Sequence, residues 1–165
     1  MDWLELLERS IEIGLTPVTW GDYARFEQET KRGQSLRSGT AGGPVTGVSV
    51  ADASAFAEGL SQHDGHRYRL PTLDHMRALA ARLRPASGVT DRPGDPPSGM
   101  VSEDRDPLSE WLACVPDHSN GQNRLCCLTS LLWFRSRDNA GARAALADSR
   151  YSFVTFRMVR NRERI

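Results

Sequence analysis

Cysteine is scarce in this 165-residue chain, and its three copies, Cys114, Cys126 and Cys127, are odd in number with two adjacent. That pattern excludes a disulfide framework and reads as a protein of a reducing cytoplasm. Lysine is rarer still: Lys31 stands beside twenty arginines among 21 basic residues, a bias of the kind codon usage produces in a GC-rich genome. Net charge is absent too, since 21 acidic residues balance the basic ones. No global field therefore draws the chain to nucleic acid or to an anionic membrane. No apolar run approaches the roughly 20 residues a membrane helix requires. The first ten residues carry Glu5 and Glu8 and lack the basic start and unbroken apolar centre of a secretory signal. Serine-hydrolase, P-loop and dinucleotide motifs are missing, as are internal repeats.

What remains is the composition of one globular domain, long enough to bury roughly two-thirds of its unfolded surface. Residues 2–10 read as a short helix with Trp3, Leu4 and Leu7 on one face. Thr19 caps a helix carrying Trp20, Tyr23 and Phe26 and ending near Gly33, followed by a polar, Gly-rich stretch over 34–43. Ser49 with Asp52 forms a capping box for a second helix, whose stripe is Val50, Ala53, Phe56, Ala57 and Leu60. Asp64-Gly65 closes it as a turn. Residues 67–70 are extended, because the residue before Pro71 is pushed out of helical geometry. Thr72 caps a third helix with Met76, Leu79, Ala80 and Leu83 inward. Residues 85–107, rich in proline, read as a flexible internal loop. Strands are expected within 108–115, centrally within 124–134, and over 151–159 as a closing strand. Residues 161–165 read as a charged tail.

Thr16-Pro17-Val18-Thr19-Trp20, Pro44-Val45, the run 49–60, Tyr68-Arg69-Leu70-Pro71-Thr72, Ser109-Glu110-Trp111 and Thr155-Phe156-Arg157 occur in this order over about residues 11–160. In that order and spacing they resemble the formylglycine-generating-enzyme, or sulfatase-modifying-factor, superfamily. The resemblance implies an α+β, C-type-lectin-like domain in which helices pack on a small, twisted, mostly antiparallel sheet. Active members bind copper through two cysteines that follow a Gly-Gly-Ser-aromatic strand. Here the matching strand reads Leu125-Cys126-Cys127-Leu128-Thr129-Ser130-Leu131-Leu132-Trp133, and 135–140 contains no cysteine. Copper(I) requires soft thiolates, so no catalytic residue and no cofactor are assigned. The Gly-Asn-Val segment that contributes to calcium binding in relatives is replaced by Asp106-Pro107-Leu108, and calcium has no support in the sequence.

A second branch with this fold comprises the variable proteins of diversity-generating retroelements, which bind ligands through the C-terminal part of the lectin-like face. The chain is similar to them in the residue types at Trp133, Phe134, Arg135, Ser136, Arg137, Asp138 and Asn139, and at Tyr151, Ser152, Phe153 and Val154. These are the candidate ligand-binding residues of a non-catalytic domain, with a protein or other macromolecule as partner and no membrane or nucleic acid expected. The alternative is a formylglycine-generating-type or metal-dependent oxidase relative in which Cys114, Cys126, Cys127 or the histidines converge. Adjacent strand residues point to opposite faces, which speaks against one metal shared by Cys126 and Cys127. His63-Asp64-Gly65-His66 has a backbone reason to exist as a turn, and His75 reads as a surface or partly packed residue. A third reading is an accessory subunit docking one partner through Leu and Trp groups near the N-terminus.

Overall fold

The computed structural model describes residues 1–6, 10–30, 39–83, 108–113, 125–129 and 143–164. The proline-rich loop at 85–107 lies outside them. In chain order the described elements are β1 (Trp3–Glu5), β2 (Ile11–Gly14), α1 (Trp20–Thr30), α2 (Val50–Asp64), β3 (His66–Arg69), α3 (Leu73–Arg82), β4 (Ser109–Trp111), β5 (Leu125–Thr129), β6 (Arg143–Leu146), β7 (Val154–Thr155) and β8 (Val159–Arg164). The strands form two four-stranded sheets, ordered β1-β2-β8-β3 and β6-β5-β4-β7. Every strand pairing is antiparallel except β4 with β7.

Each helix starts where its capping chemistry sits. At α1, Thr19 Oγ1 accepts from the Asp22 backbone N–H at 3.2 Å and donates to its carboxylate at 2.8 Å. At α2, Ser49 and Asp52 complete the expected capping box, and Gly65 ends the helix in the left-handed region at φ 75°, where glycine has no Cβ to clash. At α3 the capping partner of Thr72 is a histidine: the Thr72 N–H donates to His75 Nδ1 at 3.0 Å. His75 thus takes the place usually held by Glu or Gln.

The N-terminal helix expected over 2–10 is not formed. Trp3–Glu5 is a strand paired antiparallel with β2, and Leu6 N–H donates to the Ile11 carbonyl at 3.0 Å. A short apolar run fits either period, and here tertiary contacts decide: Trp3 packs on Tyr68 at 5.7 Å and lies under the Arg160 guanidinium at 4.3 Å. The charged tail is also corrected. Val159–Arg164 is β8, placed between β2 and β3, with Arg160 paired to Glu12 at 2.7 Å and Arg162 to Glu5 at 3.3 Å. The single closing strand over 151–159 is instead β7 and β8 in different sheets, joined by buried Phe156, Arg157 and Met158.

Two apolar clusters hold the layers together. In the larger, Phe56 of α2 stacks on Tyr23 at 5.8 Å and meets Phe26 and Phe156 edge-on at 5.2 and 5.5 Å. In the smaller, Met76 and Leu79 of α3 pack against Ile11, Ile13 and Val159 of the first sheet and against Leu112. Of the tryptophans in the family motifs, Trp111 is fully buried and Trp20 half-buried. Trp133 lies outside the described residues.

Candidate functional site

The connection between β6 and β7 brings four of the candidate ligand residues together. Its backbone is tied to the start of α2: Val50 N–H donates to Ala147 O at 3.1 Å, and Gly47 N–H donates to Tyr151 O at 3.1 Å and Val154 O at 3.3 Å. Arg150 reaches Asp52 with two bonds, Nε to Oδ2 at 2.9 Å and Nη2 to Oδ1 at 3.0 Å. The Leu146 N–H turns to the Tyr151 hydroxyl at 3.4 Å, which closes part of the outer edge of β6.

On this tied backbone the side chains divide. The Tyr151 ring rests 6.0 Å from that of Trp111, whose Nε1–H donates to Val48 O at 2.8 Å, and Phe153 lies 5.6 Å from Tyr151. Phe153 is 47% exposed and Leu146 is 42% exposed, while Ser152 is also open to solvent. Val154 is fully buried in the larger cluster. It therefore supports the loop from below and presents nothing to a ligand, which corrects its place among the candidate residues. Trp133, Phe134, Arg135, Ser136, Arg137, Asp138 and Asn139 lie outside the described residues.

A buried polar row joins residues that stand in separate motifs of the sequence. Glu110 of β4 is in register with Thr129 of β5 and Thr155 of β7, and all three are buried. Arg157 meets Glu110 with Nε to Oε2 at 2.5 Å and Nη2 to Oε1 at 2.7 Å, and its Nη1 donates to the carbonyls of Gly14 and Leu15, both at 3.0 Å. The guanidinium thus ties the end of β2 to β4 and to the segment after β7. Among the described residues, Thr155 Oγ1 has no hydrogen-bond partner. A charged residue inside each of two otherwise uncharged motifs is the available signal for the pair. The Arg150 and Asp52 pair had none, because 98 positions separate its members.

The residues weighed as metal ligands do not converge where they are described. His63 is in the last turn of α2, and His66 opens β3 with Nδ1 at 3.0 Å from Asn161 O. Cys126 and Cys127 lie on β5 opposite Ala145 and Ala144. Cys114 and His118 lie outside the described residues. Among the described residues, no group of three His, Cys, Asp or Glu is placed to hold a metal ion, and no helix is long and apolar enough to cross a membrane. A separate cavity of about 410 Å³ is lined by Leu6, Ile11, Arg69, Thr72, His75 and neighbours at the start of α3.

Residues 6–124 match the family model of the sulfatase-modifying factor enzyme 1-like domain. No curated protein matches the chain in sequence. Among solved structures it is similar to PvdO from Pseudomonas aeruginosa, at 19% identity and a TM-score of 0.60 over 92% of this chain and 80% of that one. It is similar also to CarF, at 19% identity and a TM-score of 0.56 over 92% of this chain and 86% of that one. These likenesses show the fold, an α+β domain of the formylglycine-generating-enzyme type. The family match ends just before β5, so the β6–β7 connection lies beyond it. With the match spanning most of its length, the chain belongs to the sulfatase-modifying factor enzyme 1-like domain family.

Proposed function

We propose that this domain is a non-catalytic binding module of the cytoplasm that takes a protein or other macromolecule through Tyr151, Ser152 and Phe153 and through residues 133–139. The observation that carries the reading is Phe153, a half-exposed aromatic on a connection whose backbone is tied at Ala147 and Tyr151. An aromatic side chain with two rotatable bonds, set on a fixed backbone, supplies contact area at low entropic cost. Leu146, whose backbone N–H meets the Tyr151 hydroxyl, is a second exposed apolar side chain. The reading assigns no catalytic residue and no resident cofactor, because the stretch 135–140 after the matching strand, where relatives carry the copper-binding pair, contains no cysteine. It extends to a diversified surface, in which residues 133–139 and 151–153 vary among copies. A near-repeat of the codons for 125–157 beside a reverse-transcriptase gene would support that extension.

The test is capture from lysate of the producing cells with three immobilised proteins: wild type, Phe153→Asp, and Arg162→Ala as a control on β8. A species held by wild type and control but released by Phe153→Asp supports the reading. Identical capture by all three overturns it. Elemental analysis of the same preparation, made under reducing conditions, is the second arm. Near-stoichiometric copper, iron or zinc would replace the binding reading with that of a metal-dependent oxidase relative.

A further inference from the structure

Asp52 has two roles in two distant parts of the chain. As the third residue of α2 it accepts from the Ser49 N–H at 2.9 Å and the Ser49 hydroxyl at 2.8 Å, completing the cap. The same carboxylate receives both bonds from Arg150. Backbone bonds tie the β6–β7 connection to the body of the domain at Ala147, Tyr151 and Phe153. Between Ala147 and Tyr151, among the described residues, the Arg150 side chain makes the bond from the connection to the body of the domain.

We infer that Arg150 and Asp52 form an acid-sensitive clasp that holds the recognition loop in its presenting conformation. The inference rests on the binding reading for its consequence, since an ordered loop is what lets Tyr151 and Phe153 meet a partner without first paying for their own ordering. Closed at neutral pH, the clasp opens when the carboxylate takes a proton. Arg150 keeps its charge throughout. From α1, Tyr23 and Glu27 also face the guanidinium, so a released Arg150 has a second carboxylate within electrostatic reach. The helix cap and the loop are thereby coupled through one titrating group.

The direction of the pH effect follows from the surroundings of Asp52. Burial pushes its carboxyl up, but the bonds from Arg150 and Ser49 outweigh burial and hold it below the ordinary value. A depressed folded-state value means that the contribution is fully present above the unfolded-state value and is lost as pH falls through the folded one. The clasp therefore opens below the ordinary aspartate range, as pH falls through the depressed value of Asp52.

Hydrogen exchange read by mass spectrometry on the full chain tests this without any ligand. At neutral pH the peptide spanning 146–153 should lose about threefold in protection factor in Arg150→Gln, the size expected for a partly exposed pair. Peptides from α3 and β8 should be unchanged. Asp52→Asn, which keeps an acceptor for the cap but not the charge, should do the same to the loop. As pH is lowered below the ordinary aspartate range, the difference between wild type and Arg150→Gln should shrink. Equal loop protection in wild type and Arg150→Gln at neutral pH overturns the clasp, and a difference that does not shrink down to the lowest pH at which the fold holds overturns its acid sensitivity. Because exchange needs no partner, failure here leaves the binding reading standing, and failure of capture leaves the clasp standing.

Discussion

Replacing Arg157 with methionine keeps much of the side-chain volume and removes all four of its bonds. Two of those bonds go to the Glu110 carboxylate and two to the Gly14 and Leu15 carbonyls. The arginine side chain is 1% exposed and that of Glu110 is 5% exposed, so water cannot replace what is lost. Removing one partner of such a pair leaves a buried, uncompensated charge and costs about 3–5 kcal/mol. Against a total stability of roughly 5–15 kcal/mol for a domain, that is a large fraction. With a urea dependence of about 2 kcal/mol per M, the unfolding midpoint should fall by about 1.5–2.5 M. The double variant Arg157→Met, Glu110→Leu removes the stranded charge and leaves only the two carbonyls unpaired, so it should recover about 2 kcal/mol over Arg157→Met alone. Urea unfolding followed by tryptophan fluorescence reads both numbers. A loss below about 1 kcal/mol in the single variant, or a double variant no more stable than the single, would refute the claim that this pair is a buried tie between the sheets.

Two further substitutions test the packing around the site. Thr155→Val exchanges a buried hydroxyl that has no partner among the described residues for a methyl of the same shape, and should raise stability by about 1–2 kcal/mol; a lower thermal midpoint would show that the hydroxyl is satisfied. A Cβ added at Gly59 would come within 2.6 Å of the Phe26 ring, which is backed by Phe56 and Tyr23. Gly59→Ala should therefore lose about 1–2 kcal/mol, because overpacking exceeds the helix-propensity gain of about 1 kcal/mol; a stabilised variant would mean that the α1–α2 contact yields.

The parts of this fold that were legible in the sequence are those whose physics is local. Ser49 with Asp52 and Thr72 before α3 announce helix starts because capping is settled within three residues. The N-terminal strand was missed because Trp3 and Leu4 fit a helical face as well as a strand, and only β2, Tyr68 and Arg160 select between them. The arginines of β8 were misplaced for a related reason. Arg160 and Arg162 look like a solvated tail until Glu12 and Glu5 are brought opposite them from the other end of the chain. The same limit governs the site. Exposed Phe153 and half-buried Tyr151 stood in the candidate segment, whereas the bonds that tie that segment, from Arg150 to Asp52 and from Arg157 to Glu110, cross 98 and 47 positions. The composition of the loop that carries Phe153 is visible in the sequence, but the bonds that hold it come from residues whose spacing carries no signal. Asp52 is the clearest case: the sequence shows it as a helix cap, and only the fold adds a second role, joining the start of α2 to the loop that carries Phe153.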